Sequence, residues 1–221
     1  MKPIPQITFD FIPEKSYLQD DFVVLSCNID AFRAITSWPR NWENKCLFLS
    51  GAKSSGKTFL AKIWKEISEA VLFDINNFEK IINTEKPVNI IVEDIENLLP
   101  KYQEEIFHLY NKVSNSRAYI LFTSSKPLIS LDISLPDLKS RISAATHINI
   151  QSPDNDLIKS LIFKQFSDAQ ITVSTGVIDF IVPRIERSFE AVHNTIDFLN
   201  KKSFETKRNI TIPFVKEFLG L

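Results

Sequence analysis

The chain has 221 residues, 44% of them hydrophobic and 18 of them phenylalanine, which suffices for one large domain or a main domain with a small partner around a sizeable core. Its 26 basic and 27 acidic side chains leave a formal charge of −1, which argues against bulk electrostatic binding to nucleic acid or anionic membrane. Two cysteines (Cys27 and Cys46) and three histidines without ligand spacing exclude a disulfide framework or a zinc site, and no leader or run of about 20 apolar residues is present, so a soluble, cytoplasmic chain is expected.

Residues 1–20 carry three prolines and no helical period, and read as a flexible tail. Within it Gln6-Ile7-Thr8-Phe9-Asp10-Phe11 alternates polar and apolar residues between Pro5 and Pro13. On spacing alone this is either packed tail or a short docking peptide whose Ile7, Phe9 and Phe11 fill a partner's pocket. Beyond Asp20, Asp21-Phe22-Val23-Val24 leads into a helix with Ile29, Phe32, Arg33, Ile35 and Trp38 at helical spacing, ended by Pro39.

Cys46-Leu47-Phe48-Leu49 reads as a buried strand and runs straight into Gly51-Ala52-Lys53-Ser54-Ser55-Gly56-Lys57-Thr58, followed by a helical pattern through Ile67. This is the G-x-x-x-x-G-K-[ST] phosphate loop in its strand–loop–helix setting. Such a loop needs glycine at Gly51 and Gly56 so that the N–H groups of Ser54, Ser55 and Gly56 can converge on phosphate oxygens at a helix N-terminus. Lys57 supplies a point charge for the outer phosphates, and Thr58 a hydroxyl for Mg²⁺.

Val71-Leu72-Phe73 reads as a second strand and Phe78–Ile82 as a short helix. Val88–Asp94 reads as an apolar strand ending in Glu93 and Asp94, carboxylates placed to hold Mg²⁺ and a water. A helix over Glu96–Val113 and a strand over Ala118–Phe122 follow, the strand ending in Thr123-Ser124-Ser125, hydroxyls that either face a phosphate or form a turn. Leu135–Arg141 starts a short helix and His147–Ile150 is the last strand. Past Ser152-Pro153 only helical patterns remain, at Asp156–Phe166, Ser174–Ile185, Ser188–Asn200 and Ile212–Leu219. The expected architecture is α/β: a central parallel sheet flanked by helices over residues 21–151, then a small all-helical lid over 152–221.

This set of motifs resembles the AAA+ P-loop NTPases, and within them the DnaA clade. Phe22-Val23-Val24 through Asn28 resembles the segment that contacts adenine in DnaA-type proteins. Glu104–Asn111 resembles the helix after the Walker B strand, and Leu138-Lys139-Ser140-Arg141 resembles the box whose arginine acts as a finger in trans. Leu135–Arg141, the terminal Thr211–Leu219 and the Gln6–Phe11 hexapeptide are similar to the shorter Hda family, and a chain stopping at Leu221 is expected to lack a helix-turn-helix DNA-binding domain.

That resemblance implies ADP or ATP with Mg²⁺ held by Thr58, Glu93 and Asp94, and Ser125 as a phosphate sensor. It implies Gln6, Ile7, Phe9 and Phe11 on the DNA polymerase sliding clamp, and Arg141 acting on DnaA-bound ATP to prevent re-initiation. A homodimer stays open; sequence-specific DNA binding and membrane association are not expected. Three positions depart from the family. Glu93 stands where an Asp is usual, Ser125 aligns with an Asp, and Glu190 aligns with the lid's phosphate-reaching arginine, for which Arg187, one turn earlier, is the candidate substitute. Weak intrinsic hydrolysis is therefore expected. A non-catalytic clamp and DnaA adaptor, or another P-loop enzyme such as a helicase loader, are the rival readings.

Overall fold

The computed structural model describes residues 19–220. The docking hexapeptide expected at Gln6–Phe11 lies outside them.

Five strands form one parallel sheet: β1 (Cys46–Gly51), β2 (Val71–Leu72), β3 (Ile90–Val92), β4 (Ile120–Ser124) and β5 (Thr146–Ile150), in the order β2-β3-β4-β1-β5. A parallel strand covered on both faces is apolar at every position rather than at alternate ones. The central strands β1, β3 and β4 are accordingly buried throughout, whereas Val71 and Leu72 of the edge strand β2 are exposed. The insertion of β4 between β1 and β3 brings the ends of all three strands to one edge. It is this edge that collects the candidate site.

The pleat divides the strand side chains between two cores. Phe48, Ile90, Val92, Ile120 and Phe122 face α3 (Phe78–Asn83), α4 (Ile95–Ser114) and α5 (Pro136–Ser143). Leu47, Leu49, Ile91 and Leu121 face α1 (Ile29–Thr36) and α2 (Lys57–Ser68), where Trp42 stacks on Trp64 at 4.8 Å and donates its indole N–H to the Ala34 carbonyl at 2.9 Å. The helix α4 runs one residue beyond the expected Glu96–Val113 at each end. It bends at Tyr102 (φ −130°), two residues after Pro100, whose ring and missing N–H interrupt the ladder.

Beyond β5 the chain is helical: α6 (Asn155–Asp168), α7 (Thr175–Ile181), α8 (Phe189–Thr206) and α9 (Ile212–Leu219). They enclose a third core around Ile162, Phe166, Ile196 and Phe214. The helical expectation over Ser174–Ile185 resolves into α7 and a 3₁₀ turn at Val182–Arg184, with Pro183 inside that turn. Leu157 and Phe189 leave the lid core and pack into the core between α1, α2 and the sheet, seating the lid on the α/β body. No helix among the described residues is long and apolar enough to cross a membrane.

Candidate nucleotide site

The loop between β1 and α2 is built on two glycine positions. A Cβ on Gly51 would sit 2.8 Å from Ser55 Oγ and 2.9 Å from Ile150 Cβ, so the loop can close over the strand end only without a side chain there. Gly56 has φ +92°, and a Cβ on it would meet the Phe22 ring at 2.9 Å. It is also the N-cap of α2 and provides no side-chain cap, which leaves the first amides of the helix for another acceptor. Ser54 is left-handed at φ 61°, and Ser55 Oγ is buried with no hydrogen-bond partner among the described residues. An orphaned hydroxyl beneath uncapped helical amides fits an oxyanion ligand.

Lys57 is 7% exposed, and its ammonium donates to the Gly51 and Ala52 carbonyls at 2.8 and 3.0 Å. Burial lowers its pKa; Asp94, Glu96 and Glu93 oppose that shift through their charges without reversing it. Thr58 is exposed at the start of α2.

The strand β3 ends at Val92, so Glu93 and Asp94 form the corner after it rather than its last residues. Asp94 is exposed and left-handed (φ 46°, ψ 52°), with its backbone N–H donated to Thr123 Oγ1 at 3.0 Å. This turn points the two acids differently. Glu93 is half-buried, with Oε1 buried and without a hydrogen-bond partner among the described residues. No group of three His, Cys, Asp or Glu comes together as a metal cage among the described residues. Mg²⁺ needs no such cage: it is bound through one or two carboxylates, waters and phosphate oxygens, which the orphaned Glu93 oxygen fits.

Ser125 is held by a carboxylate. Its Oγ and its backbone N–H both donate to Glu96 Oε1, at 2.5 and 2.8 Å. Sequence reading missed Glu96, whose only signal is an acid in the first turn of α4. Burial raises the Glu96 pKa, but the Ser125 hydrogen bonds and those of its neighbours outweigh it, and the carboxyl is held below its ordinary range.

The expected base segment lies beside the loop. Phe22 stacks on Phe32 (5.7 Å, 4°) and tilts against Phe59 (5.4 Å). Asn28, 4% exposed, accepts from the Leu25 N–H and donates to the Val23 carbonyl, both at 2.9 Å. These two bonds shape the segment and leave Asn28 lining the cleft beside it. Asp154, the N-cap of α6, accepts from the Leu157 N–H at 2.8 Å and from Ser26 Oγ at 2.9 Å, tying the lid to this segment. An Asp two residues before Asp156 is a legible cap, but its reach to Ser26 is not.

A cleft of about 570 Å³ opens between this segment, the loop and the lid, with Ser54, Ser55 and Gly56 at one end. The lid lines it with Lys164, Gln165 and Asp168 of α6 and His193, Asp197 and Asn200 of α8. Neither Arg187 nor Glu190 is among its lining residues; both are exposed, Arg187 in the turn before α8 and Glu190 in its first turn. Lys164, 3.8 Å from Asp21 and 3.6 Å from Asp168, is the lysine that the lid does present. Arg141 lies apart on α5: exposed, 6.0 Å from the Tyr110 ring centroid, and in no ion pair among the described residues.

The family model of the Hda lid domain matches residues 155–219. An uncharacterized protein of Haemophilus influenzae is 25% identical, with 99% of this chain and 98% of that protein covered. Domain III of the replication initiation protein DnaA from Thermotoga maritima superposes with a TM-score of 0.77 at 20% identity, covering 92% and 95% of the two chains. AMPPCP-bound DnaA from Aquifex aeolicus gives 0.69 at 19% identity, covering 89% of this chain and 68% of that one. The fold is that of the DnaA-related AAA+ proteins.

Gly56→Ala forces a left-handed alanine against Phe22 and lowers stability by about 1–2 kcal/mol in urea unfolding. Gly176→Ala, where a Cβ meets nothing within 4 Å, leaves it unchanged or higher. The lowered Glu96 pKa contributes stability that is present above its ordinary value of 4.5 and lost as pH falls through the lower folded value. Glu96→Gln removes that contribution, so its stability falls less steeply below pH 4.5 than the wild type's in acid titration.

Proposed function

We propose that this Hda-like, DnaA-related AAA+ protein regulates replication initiation by holding an adenine nucleotide itself and acting through Arg141 on the ATP of a neighbouring DnaA. The observation that carries the reading is the contrast between two sites on one chain. Around its own loop, Ser125 is captured by Glu96, and both Arg187 and Glu190 are outside the cleft. Arg141 is meanwhile exposed, without an ion pair among the described residues, on a short helix anchored by the buried Leu138 and Ile142. The chain is thus equipped to hold a nucleotide better than to hydrolyse one, and its charged finger is turned outward.

In this reading residues 21–151 bind the nucleotide and residues 152–221 close over it. Lys57 and the amides of Ser54, Ser55 and Gly56 hold the phosphates, and Phe22 and Val23 bound the base. Thr58, Glu93 and Asp94 would hold Mg²⁺, which neutralises phosphate charge when bound. ADP and ATP both suit this arrangement, as does the AMPPCP carried by the DnaA relative. Gln6, Ile7, Phe9 and Phe11 dock on the sliding clamp by filling an apolar pocket, which concentrates the finger where DnaA is to be switched off. A guanidinium placed on the charge that develops during phosphoryl transfer accelerates hydrolysis by roughly 10³–10⁵.

A second reading, a non-catalytic adaptor that uses nucleotide as structural support, is favoured by the same capture of Ser125. Hydrolysis of DnaA-bound ATP in the presence of DNA-loaded clamp separates the two. Arg141→Ala is expected to abolish the stimulation while clamp binding persists. Stimulation that survives the substitution contradicts the finger and leaves the adaptor.

A further inference from the structure

The lid wall of the cleft holds two buried polar atoms without hydrogen-bond partners among the described residues, Gln165 Oε1 on α6 and Asn200 Oδ1 on α8. Both residues line the cleft that also contains Phe22, Val23 and the loop residues Ser54–Gly56. Buried carboxamide oxygens are almost always paired in native proteins, because leaving one without a donor is destabilising. Here no side-chain nitrogen of either residue donates a hydrogen bond among the described residues, so both carboxamides are free to present an acceptor and a donor side by side.

The rest of the cleft says which end of a ligand these groups meet. Phe22, Phe59, Leu157, Leu161 and Phe189 supply apolar walls, suited to a flat ring. At the lid end Lys164 and His193 lie 3.6 and 3.2 Å from Asp168 and Asp197, so the cations there already face carboxylates, whereas Lys57 and the uncapped amides of α2 attract phosphate at the other end. A volume of about 570 Å³ is within the usual range for a small-molecule site.

We infer that Gln165 and Asn200 read the hydrogen-bonding edge of the bound nucleobase and set its identity. A carboxamide matches adenine in a bidentate pair, accepting from the exocyclic N6 amino group and donating to an adjacent ring nitrogen. Guanine offers an oxygen where adenine offers that amino group, so it cannot form the same pair. The inference rests on the proposed nucleotide site and adds two specificity-determining residues to it.

The test is calorimetric titration of the intact chain with ADP, GDP and inorganic pyrophosphate. The wild type is expected to prefer ADP over GDP by roughly 5- to 150-fold, the range of one good bidentate pair. The double variant Gln165→Leu, Asn200→Leu loses that preference while binding pyrophosphate as before. Gln165→Glu with Asn200→Asp preserves size and acceptors but removes the donors, so it retains only part of the preference and guards against a misfolded double leucine variant. Equal ADP and GDP affinities in the wild type, or a preference that persists in both double variants, overturns the inference while pyrophosphate binding leaves the phosphate loop standing. A wild-type chain that binds none of the three removes the nucleotide reading itself, and this inference with it.

Discussion

A buried ammonium is the constraint around which this site is arranged. Lys57 is taken out of water at the mouth of its own loop, and an unpaired charge there would be strongly destabilising. The Gly51 and Ala52 carbonyls satisfy its donors, and Glu93, Asp94 and Glu96 surround it with negative charge at longer range. Those carboxylates are close enough to matter because β4 separates β1 from β3 and aligns the three strand ends. Sheet order, glycine geometry and the charge of one lysine are therefore a single arrangement. Phosphate oxygens would take over from the loop carbonyls as partners of the ammonium.

The lid is coupled to this arrangement by a few contacts of different kinds. Leu157 and Phe189 insert into the core of the α/β body, Asp154 joins the cap of α6 to Ser26, and Lys164 lies between Asp21 and Asp168. The exposed ion pairs among these contribute little to stability. The apolar anchors hold the lid, and the polar ones fix its angle over the segment shaped by Asn28. A ligand spanning loop and lid would add contacts at both ends, so its binding and the lid's position are linked.

The architecture was legible because its signals are local. Parallel strands covered on both faces read as apolar runs, and the loop is a fixed spacing followed by a helical pattern. The boundary at Ser152-Pro153 marks the loss of strand patterns. What the sequence does not display is which distant groups meet. Glu96 and Ser125 are 29 residues apart and their pairing depends on β3 and β4 being neighbours. Arg187 sits in the turn before α8, and the stripe of α8 that lines the cleft runs through His193, Asp197 and Asn200, a choice of face that helical offset alone does not make. Asn28 lines the cleft, and its bonds to the Leu25 and Val23 backbone are a local geometry that the residue type alone does not display. Gln165 and Asn200 are single polar residues on otherwise ordinary amphipathic helices, without any motif to mark them.

Backbone amide chemical shifts followed during titration with ADP test most directly whether loop, base segment and lid form one nucleotide site. The account predicts saturable shifts centred on Ser54–Thr58, with a second group at Val23–Asn28 and a third on the cleft-facing stripe of α8. Shifts confined to residues away from the loop, or none at the loop at saturating nucleotide, would contradict it.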